Sequence, residues 1–406
     1  MPDTRASSDI VVIGGGIMGT SIAYHLARMG ERRVTLLERT SIASGASGRT
    51  GALLRQHYTN RPEATLAHHS LTVFRNWSES VGGSCGFDET GLLVTIPNGS
   101  DAEQNVARLH ENVAMQRSLG IDTRAVTSDE LTDIDPLAQA NDVAVAAYEA
   151  STGCVDAIAA TQGMARAAVR AGARILEEIS VEAVGREGDR IAEVRTSGGT
   201  IRCGTAIIAN GPWSPRLVAP LGIDLPIESA RVQVATFLRP VGEIRSHPAY
   251  VDIAAGMFCR PAGPGRTMVG VSGGDQHDPV DADRYDSAMD HTYPDLARAA
   301  LARRHPSMRA STFLHGHAGL YDMTPDAHPI MGRLPIEGLF IAAGFNGAGF
   351  KKGPAVGQAL AELIVNGRPS FVDLAPFRLE RFDEPGWDKP WSDSEYILSA
   401  DFGHKF

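Results

Sequence analysis

The stretch DIVVIGGGIMGTSIAYHLARMGERRVTLLE, residues 9–38, decides the fold. An apolar run (DIVVIG) meets three glycines, a helical segment follows that Gly30 closes, and RVTLLE forms a second strand ending on Glu38. The order strand, turn, helix, strand is a βαβ unit. Within it Gly14, Gly16 and Gly19 make GxGxxG around Ile17 and Met18, and Glu38 stands where an acidic side chain grips a ribose hydroxyl. The glycines serve a tight turn, close approach of backbone to a pyrophosphate, and close helix–strand packing, while the helix N-terminus supplies donors and positive partial charge. A lone GxGxxG is weak evidence, but the complete unit predicts a dinucleotide site. An acid rather than a base at position 38 speaks against a 2'-phosphate, hence against NADP.

Outward from this unit, 406 residues exceed one ordinary core and point to two domains, or one large domain with an insertion. Hydrophobic residues at 43% and charged residues at 21% are ordinary for a globular chain, and no segment approaches the apolar run of a membrane span. The N-terminal MPDTRASSD carries no signal pattern. Cys85, Cys154, Cys203 and Cys259 are far apart, with no CxxC, which argues for a reducing compartment; the expected location is cytoplasmic. A net charge of -10 without a visible basic cluster makes nucleic acid an unexpected partner.

Residues 44–58, SGASGRTGALLRQHY, look too glycine-rich for a regular element until ALLRQHY begins a helix or turn. Arg49 reads either as a solvated loop arginine or as a cofactor contact. Arg55 is the stronger candidate, because small and apolar residues precede it and would pack it inward. Strands are expected in 86–97 and 143–149 around a helix from Asp101, then a second α/β stretch from 157 to 208, then a mainly extended region at 223–318 with a helix near 294–305. LFIAAGF, the loop NGAGFKKG and the helix PAVGQALAELIVNG return the chain to its first domain, with Pro354 in the helix's first turn and Gly367 as its stop. His315, His317 and His328 lack a carboxylate or cysteine to complete a metal site. The tail from 385 to 406 is acidic yet carries Trp387, Trp391, Tyr396, Phe402 and Phe406, so it should pack against something.

GGGIMG with Glu38, SGASGRTGALLRQHY, AIIANGPWS, GLYDMTPDAHPIMG and GFNGAGFKKGPAVGQALAELI occur in this order, and together they resemble the FAD-dependent amine and amino-acid oxidases typified by sarcosine oxidase and glycine oxidase, in the D-amino-acid oxidase superfamily. The resemblance runs from about residue 9 to 383. It implies an α/β fold: a Rossmann-like FAD domain built from 1–82, 151–222 and 319–384, and an α+β substrate domain with a mainly antiparallel sheet from 83–150 and 223–318. It also implies hydride transfer from the carbon next to nitrogen to the flavin, hydrolysis of the imine, and O2 as the acceptor, giving peroxide. Cofactor contacts are implied at Gly14, Gly16, Ile17, Met18, Gly19, Glu38, Arg39, Ser44, Ser47, Gly48, Arg49, Gly211, Gly347, Gly349, Phe350 and Lys351.

No lysine occurs before Lys351 and Lys352. Lys351 falls where sarcosine oxidases carry the lysine that, with an arginine matching Arg55, binds the substrate carboxylate, whereas Lys352 is expected as a solvated charge at the helix start. A positive charge at a helix N-terminus costs energy unless an anion stands before it, which favours the clamp for Lys351. Tyr321 matches an aromatic wall over the substrate, or else anchors its loop by its hydroxyl. Three departures modify the resemblance. Gly319 replaces the cysteine that bonds the flavin, so non-covalent FAD is expected; no lysine stands near Thr267 or Met268 to activate oxygen; and the amine-contacting positions fall near Phe258 and Ser272. The expected substrate is an N-substituted glycine or small secondary amino acid. The alternatives are a bulkier N-carboxymethyl amino acid of a biosynthetic pathway, or a dehydrogenase subunit that passes electrons to a protein partner.

Overall fold

The computed structural model describes residues 7–31, 33–240, 246–271, 279–386 and 396. Ser272 and the tail residues Trp387, Trp391, Phe402 and Phe406 lie outside the described residues.

The βαβ unit forms as expected: strand Ile10–Ile13, helix Ile17–Arg28 and strand Val34–Leu37. These strands open a six-stranded sheet whose order is Ile330–Arg333, Leu339–Ala343, Thr205–Ile208, Ile10–Ile13, Val34–Leu37, Arg174–Leu176. All neighbours are parallel except the first pair. Side chains alternate between faces: Ile10 and Val12 pack against the helices, Val11 and Ile13 against a three-stranded antiparallel sheet spanning 181–202. Both faces are therefore buried, which is why these strands read as continuous apolar runs.

Helix Ile17–Arg28 lies between helices Ala157–Arg170 and Gly353–Asn366. Its seam with Gly353–Asn366 depends on missing side chains. A methyl group on Gly353 would lie 2.5 Å from Ile17 Cγ1, and one on Gly357 2.6 Å from Ser21 Cβ. Gly367 closes the second helix in the left-handed region at φ 81°, as its sequence foretold.

A second sheet of eight strands runs Thr312–Met323, Glu228–Leu238, Arg266–Val271, Met257–Pro261, Ala249–Asp252, Leu92–Pro97, Val143–Glu149, Thr123–Val126. It is antiparallel except where Ala249–Asp252 lies parallel to Leu92–Pro97. Helices Ala102–Ser118 and Tyr293–Arg304 flank it. The fold is mixed α/β.

The segment joining the sheets reverses the expected assignment. Ala46–Arg49 is a short helix, whereas the ALLRQHY residues 52–58 form none. Their backbone partners come from distant chain: Leu54 N donates to Gly153 O, Thr152 Oγ1 donates to Leu54 O, and Gln56 N donates to a Glu149 carboxylate oxygen at 3.1 Å. With its backbone so engaged, the segment crosses the interior buried and without regular secondary structure. In the tail, Tyr396 is buried with Leu53 and Val251, its hydroxyl 2.6 Å from His57 Nε2 and its ring stacked on the imidazole.

Candidate active site

A cleft of about 890 Å³ opens at the carboxyl ends of strands Ile10–Ile13 and Val34–Leu37. This is where open parallel sheets bind ligands. Gly14–Met18 form its floor. The loop cannot take side chains: Gly14 sits at φ 115°, and a methyl group on Gly19 would overlap the Gly14 carbonyl oxygen. Glu38 accepts from Gly15 N at 2.7 Å and from Thr40 N at 2.9 Å, which holds its carboxylate beside the loop. Ser47 Oγ accepts from Ile17 N at 3.0 Å across the start of the helix.

Arg39, Ser44, Arg49, Gly211, Gly347, Gly349 and Phe350 line the same cleft. Arg39 lies at its margin, paired with Asp283 and 4.5 Å from the centre of the Trp213 ring. Gly48 is not on the cleft wall; a methyl group there would strike the Ala43 carbonyl, so it permits the tight turn before Arg49. Arg49 is half-buried rather than solvated, and its Nη1 donates to Ser44 O at 2.6 Å. The cradle of unsubstituted backbone, acid and helix N-terminus fits an FAD. The glycine loop and Ser47 would hold the pyrophosphate, Glu38 the ribose, and Gly347–Lys351 the edge of the flavin.

A smaller cavity of about 110 Å³ adjoins the cleft, and both are walled by Arg49, Thr50, Val232, Gly319, Tyr321 and Gly347. Arg55 and Lys351 line it together with Gln233, His317 and Asn346; Leu53, Val234, Val251, Met257 and Phe258 supply apolar wall. Sequence-expected residues more than 290 positions apart in the chain thus share one small space. Arg55 is buried, its guanidinium carbon 4.5 Å from the centre of the Tyr58 ring. Burial first, then the Arg55 and Lys352 charges, push the Lys351 ammonium well below the ordinary lysine range, with Glu63 acting in the opposite sense. Burial pushes the Tyr321 hydroxyl up to about 12, so it stays protonated.

Tyr321 and Gly347 are matched. Gly347 sits at φ 75°, and a methyl group there would lie 2.5 Å from Tyr321 Cε2. The loop is fastened by Asp322, which accepts from Gly344 N at 2.7 Å, and by Asn346, whose amide bonds Thr324 N, Thr324 Oγ1 and Gly344 O. Sequence reasoning missed both; the Asn-Gly pair, with Asn346 at φ 52°, was the available signal.

The structure corrects the reading of Lys352. Its side chain is fully buried, ion-paired with Glu63 and 4.1 Å from the centre of the Tyr58 ring. His328 belongs to the same network, its Nδ1 2.8 Å from Glu63 Oε2. Burial pushes the Glu63 carboxyl up, but the Lys352 charge, the His328 ring and their hydrogen bonds outweigh it and hold the group well below its ordinary value. Glu149 was also missed. Burial pushes its carboxyl up to about 8, against the opposing Gln56 N–H, Arg55 charge and His57 N–H. Thr267 Oγ1 accepts from Arg239 Nε at 3.1 Å and lies 2.8 Å from His247 Nε2, so this position serves internal bonding.

Among the described residues no cluster of metal-ligating side chains occurs, and no helix is long and apolar enough to cross a membrane. None of the four cysteines lines either space.

The chain is 30% identical to L-proline dehydrogenase from P. horikoshii, whose crystal structure superposes with a TM-score of 0.85 over 93% of this chain and 98% of that one. It is 27% identical over 392 residues to sarcosine oxidase subunit beta of Arthrobacter sp, 94% of this chain and 93% of that protein. It is 29% identical over 380 residues to 4-methylaminobutanoate oxidase (formaldehyde-forming) of Paenarthrobacter nicotinovorans, covering 92% of this chain but only 45% of that protein. The sequence profile of the FAD dependent oxidoreductase family matches residues 9–363. The chain therefore belongs to the DAO family of FAD-dependent oxidoreductases.

Proposed function

We propose that this protein oxidises the C–N bond of a small secondary amino acid, with Arg55 and Lys351 holding the substrate carboxylate and Tyr321 lining the pocket. The observation that carries this is that Arg55 and Lys351 line one small cavity, with Leu53, Val234, Val251, Met257 and Phe258 as its apolar wall, and that this cavity adjoins the nucleotide cleft. Bound FAD supplies the hydride acceptor. The chain's own part is orientation: two charge-assisted contacts, each contributing roughly 1.5–3 kcal/mol, fix which carbon faces the flavin. The apolar wall excludes water from that carbon. No general base is assigned, because an amine bound in its neutral form lends its own lone pair to departure of the hydride. L-Proline, sarcosine and 4-methylaminobutanoate, named in the relatives' activities, are all secondary amines bearing a carboxylate. The cavity is small beside the about 300–1,000 Å³ of ordinary ligand pockets. That favours such compounds over a bulky N-carboxymethyl substrate.

The test is anaerobic reduction of the purified holoprotein by sarcosine, L-proline, glycine and D-amino acids, followed by admission of air. Bleaching by a secondary amino acid supports the reading; a flavin that none of them reduces overturns it. A second reading concerns the acceptor. Thr267 is occupied by its bonds to Arg239 and His247 and no lysine stands there, which supports electron delivery to an acceptor other than O2. Slow reoxidation in air with rapid turnover of an artificial acceptor is the expected result; prompt peroxide formation would reject it.

Two further expectations arise at the same site. Gly319 carries no side chain and no cysteine lines the cleft, so acid denaturation should release all FAD into the supernatant; flavin retained on the precipitated chain would contradict this. Because the lowered Lys351 sheds its proton earlier than an ordinary lysine, affinity for acetate, above the pH range in which acetate itself is protonated, should fall as pH rises. Lys351→Arg keeps its charge and should flatten that fall. A flat profile in the wild type would exclude the role.

A further inference from the structure

We propose that Phe258 is the specificity-determining wall of the small cavity, a ring clasped by its edges between Gly51 and Gly270, which confines the amine's substituent to a small aliphatic group. This rests on the carboxylate-clamp reading above.

Phe258 stands in register between Val251 on one neighbouring strand and Gly270 on the other. The pairing of an aromatic ring with an opposite glycine lets the ring lie over the bare backbone. A methyl group on Gly270 would lie 2.5 Å from Phe258 Cζ and 3.1 Å from Cδ1, and would overlap Cε1. On the opposite edge, a methyl group on Gly51 would lie 2.8 Å from Cε2 and 3.3 Å from Cζ. The ring therefore fills a slot that exists because two residues from different parts of the chain have no side chain.

Backbone conformation does not require either glycine, since neither has a positive φ. Gly270 sits within the strand Arg266–Val271, where glycine weakens a sheet. Close approach of the Phe258 ring accounts for both. Gly51, Val251 and Phe258 all line the cavity. Arg55 and Lys351 line the same cavity, so a ligand whose carboxylate the cations hold shares that small space with a ring that the slot fixes in place. The ring cannot retreat without striking the Gly51 or Gly270 backbone. A short N-alkyl group or a five-membered ring fits this description; a branched or aromatic substituent does not.

The experiment is titration of the FAD-loaded protein with unreactive carboxylates of increasing size, acetate, cyclopentanecarboxylate and 1-naphthoate, read from perturbation of the flavin absorbance. It is made on the wild type, Phe258→Ala, Gly270→Ala and the double variant. Phe258→Ala should improve 1-naphthoate relative to acetate by about tenfold or more, the scale on which apolar pockets sense added bulk. Gly270→Ala should weaken cyclopentanecarboxylate relative to acetate to a similar extent, because its methyl group drives the ring into the cavity. In the Phe258→Ala background that second effect should vanish, a coupling expected only of groups in contact. Should Phe258→Ala lose FAD, Phe258→Leu serves in its place. Size ratios unchanged by both substitutions, or a Gly270→Ala effect that persists without the ring, overturn the assignment of Phe258 while leaving the clamp intact. A wild type that binds none of the three carboxylates overturns the clamp, and this inference with it.

Discussion

Glu63→Ala should lower the free energy of unfolding by about 3–5 kcal/mol, the cost of leaving one member of a buried ion pair without its partner. The Lys352 side chain is wholly inaccessible, and Glu63 gives it a charged neighbour beside the Tyr58 ring. Glu63 is itself held by Asn60 Nδ2 at 2.9 Å and by His328. Asn60 also caps the helix Arg61–Arg75, so the carboxylate is fixed in the first turn where negative charge is favoured. Denaturant titration measures the loss. Combining Glu63→Gln with Lys352→Met removes both charges and should restore most of the stability, as replacement of a whole buried pair commonly does. Costs of the single changes that simply add would show that the two groups do not depend on each other. The pH dependence has a definite sign. The folded Glu63 carboxyl lies well below its ordinary 4.5, so below that value the unfolded chain binds more protons than the native one. The stabilisation is present above pH 4.5 and is lost as pH falls toward the lowered value. Glu63→Gln should abolish this slope.

Arg55→Ala should raise KM for the amino-acid substrate by roughly 10²- to 10⁴-fold, corresponding to about 3–5 kcal/mol for removing one member of a buried charge pair. The substrate carboxylate would be left with Lys351 alone, whose ammonium burial still depresses even though the Arg55 charge that also lowers it is gone. Loss of Arg55 also removes a charge that opposes the upward push on Glu149, so this buried acid remains neutral. Arg55→Lys should recover only part of the affinity, since an ammonium cannot grip a carboxylate with two parallel bonds. Flavin content, measured in parallel, separates a lost substrate contact from a disturbed cofactor site. An unchanged KM in the alanine variant would remove Arg55 from the clamp.

Local information made the nucleotide cleft legible. Strand, glycine loop, helix and Glu38 all fall within residues 9–38, and each glycine meets a steric demand of its immediate neighbours. The meeting of Arg55 and Lys351 in one cavity was legible only through the motifs, because the two residues belong to segments that folding brings together. Lys351 and Lys352 are adjacent at the start of one helix, and no local rule separates them. What does is Glu63, 289 positions away, which takes one lysine into the interior and leaves the other to the cavity. ALLRQHY was misread for the same reason: its hydrogen-bond partners lie in 149–154, and tertiary bonding overrode local preference. Glu149 gave no signal, since the carboxyl that closes a strand looks like any solvent-facing residue until the chain folds over it.

The strand order of the first sheet has a consequence for biosynthesis. Ile10–Ile13 is flanked by Val34–Leu37, which follows it closely, and by Thr205–Ile208; beyond that lies Leu339–Ala343. At about 5–20 residues per second, the ribosome needs roughly fifteen seconds to a minute between the first of these strands and the last. Throughout that interval the nascent chain holds an apolar βαβ unit with an unfilled sheet edge, and Gly347–Lys351 has yet to be made. A complete cleft can therefore form only after Gly347, Gly349 and Phe350 have been made, late in synthesis.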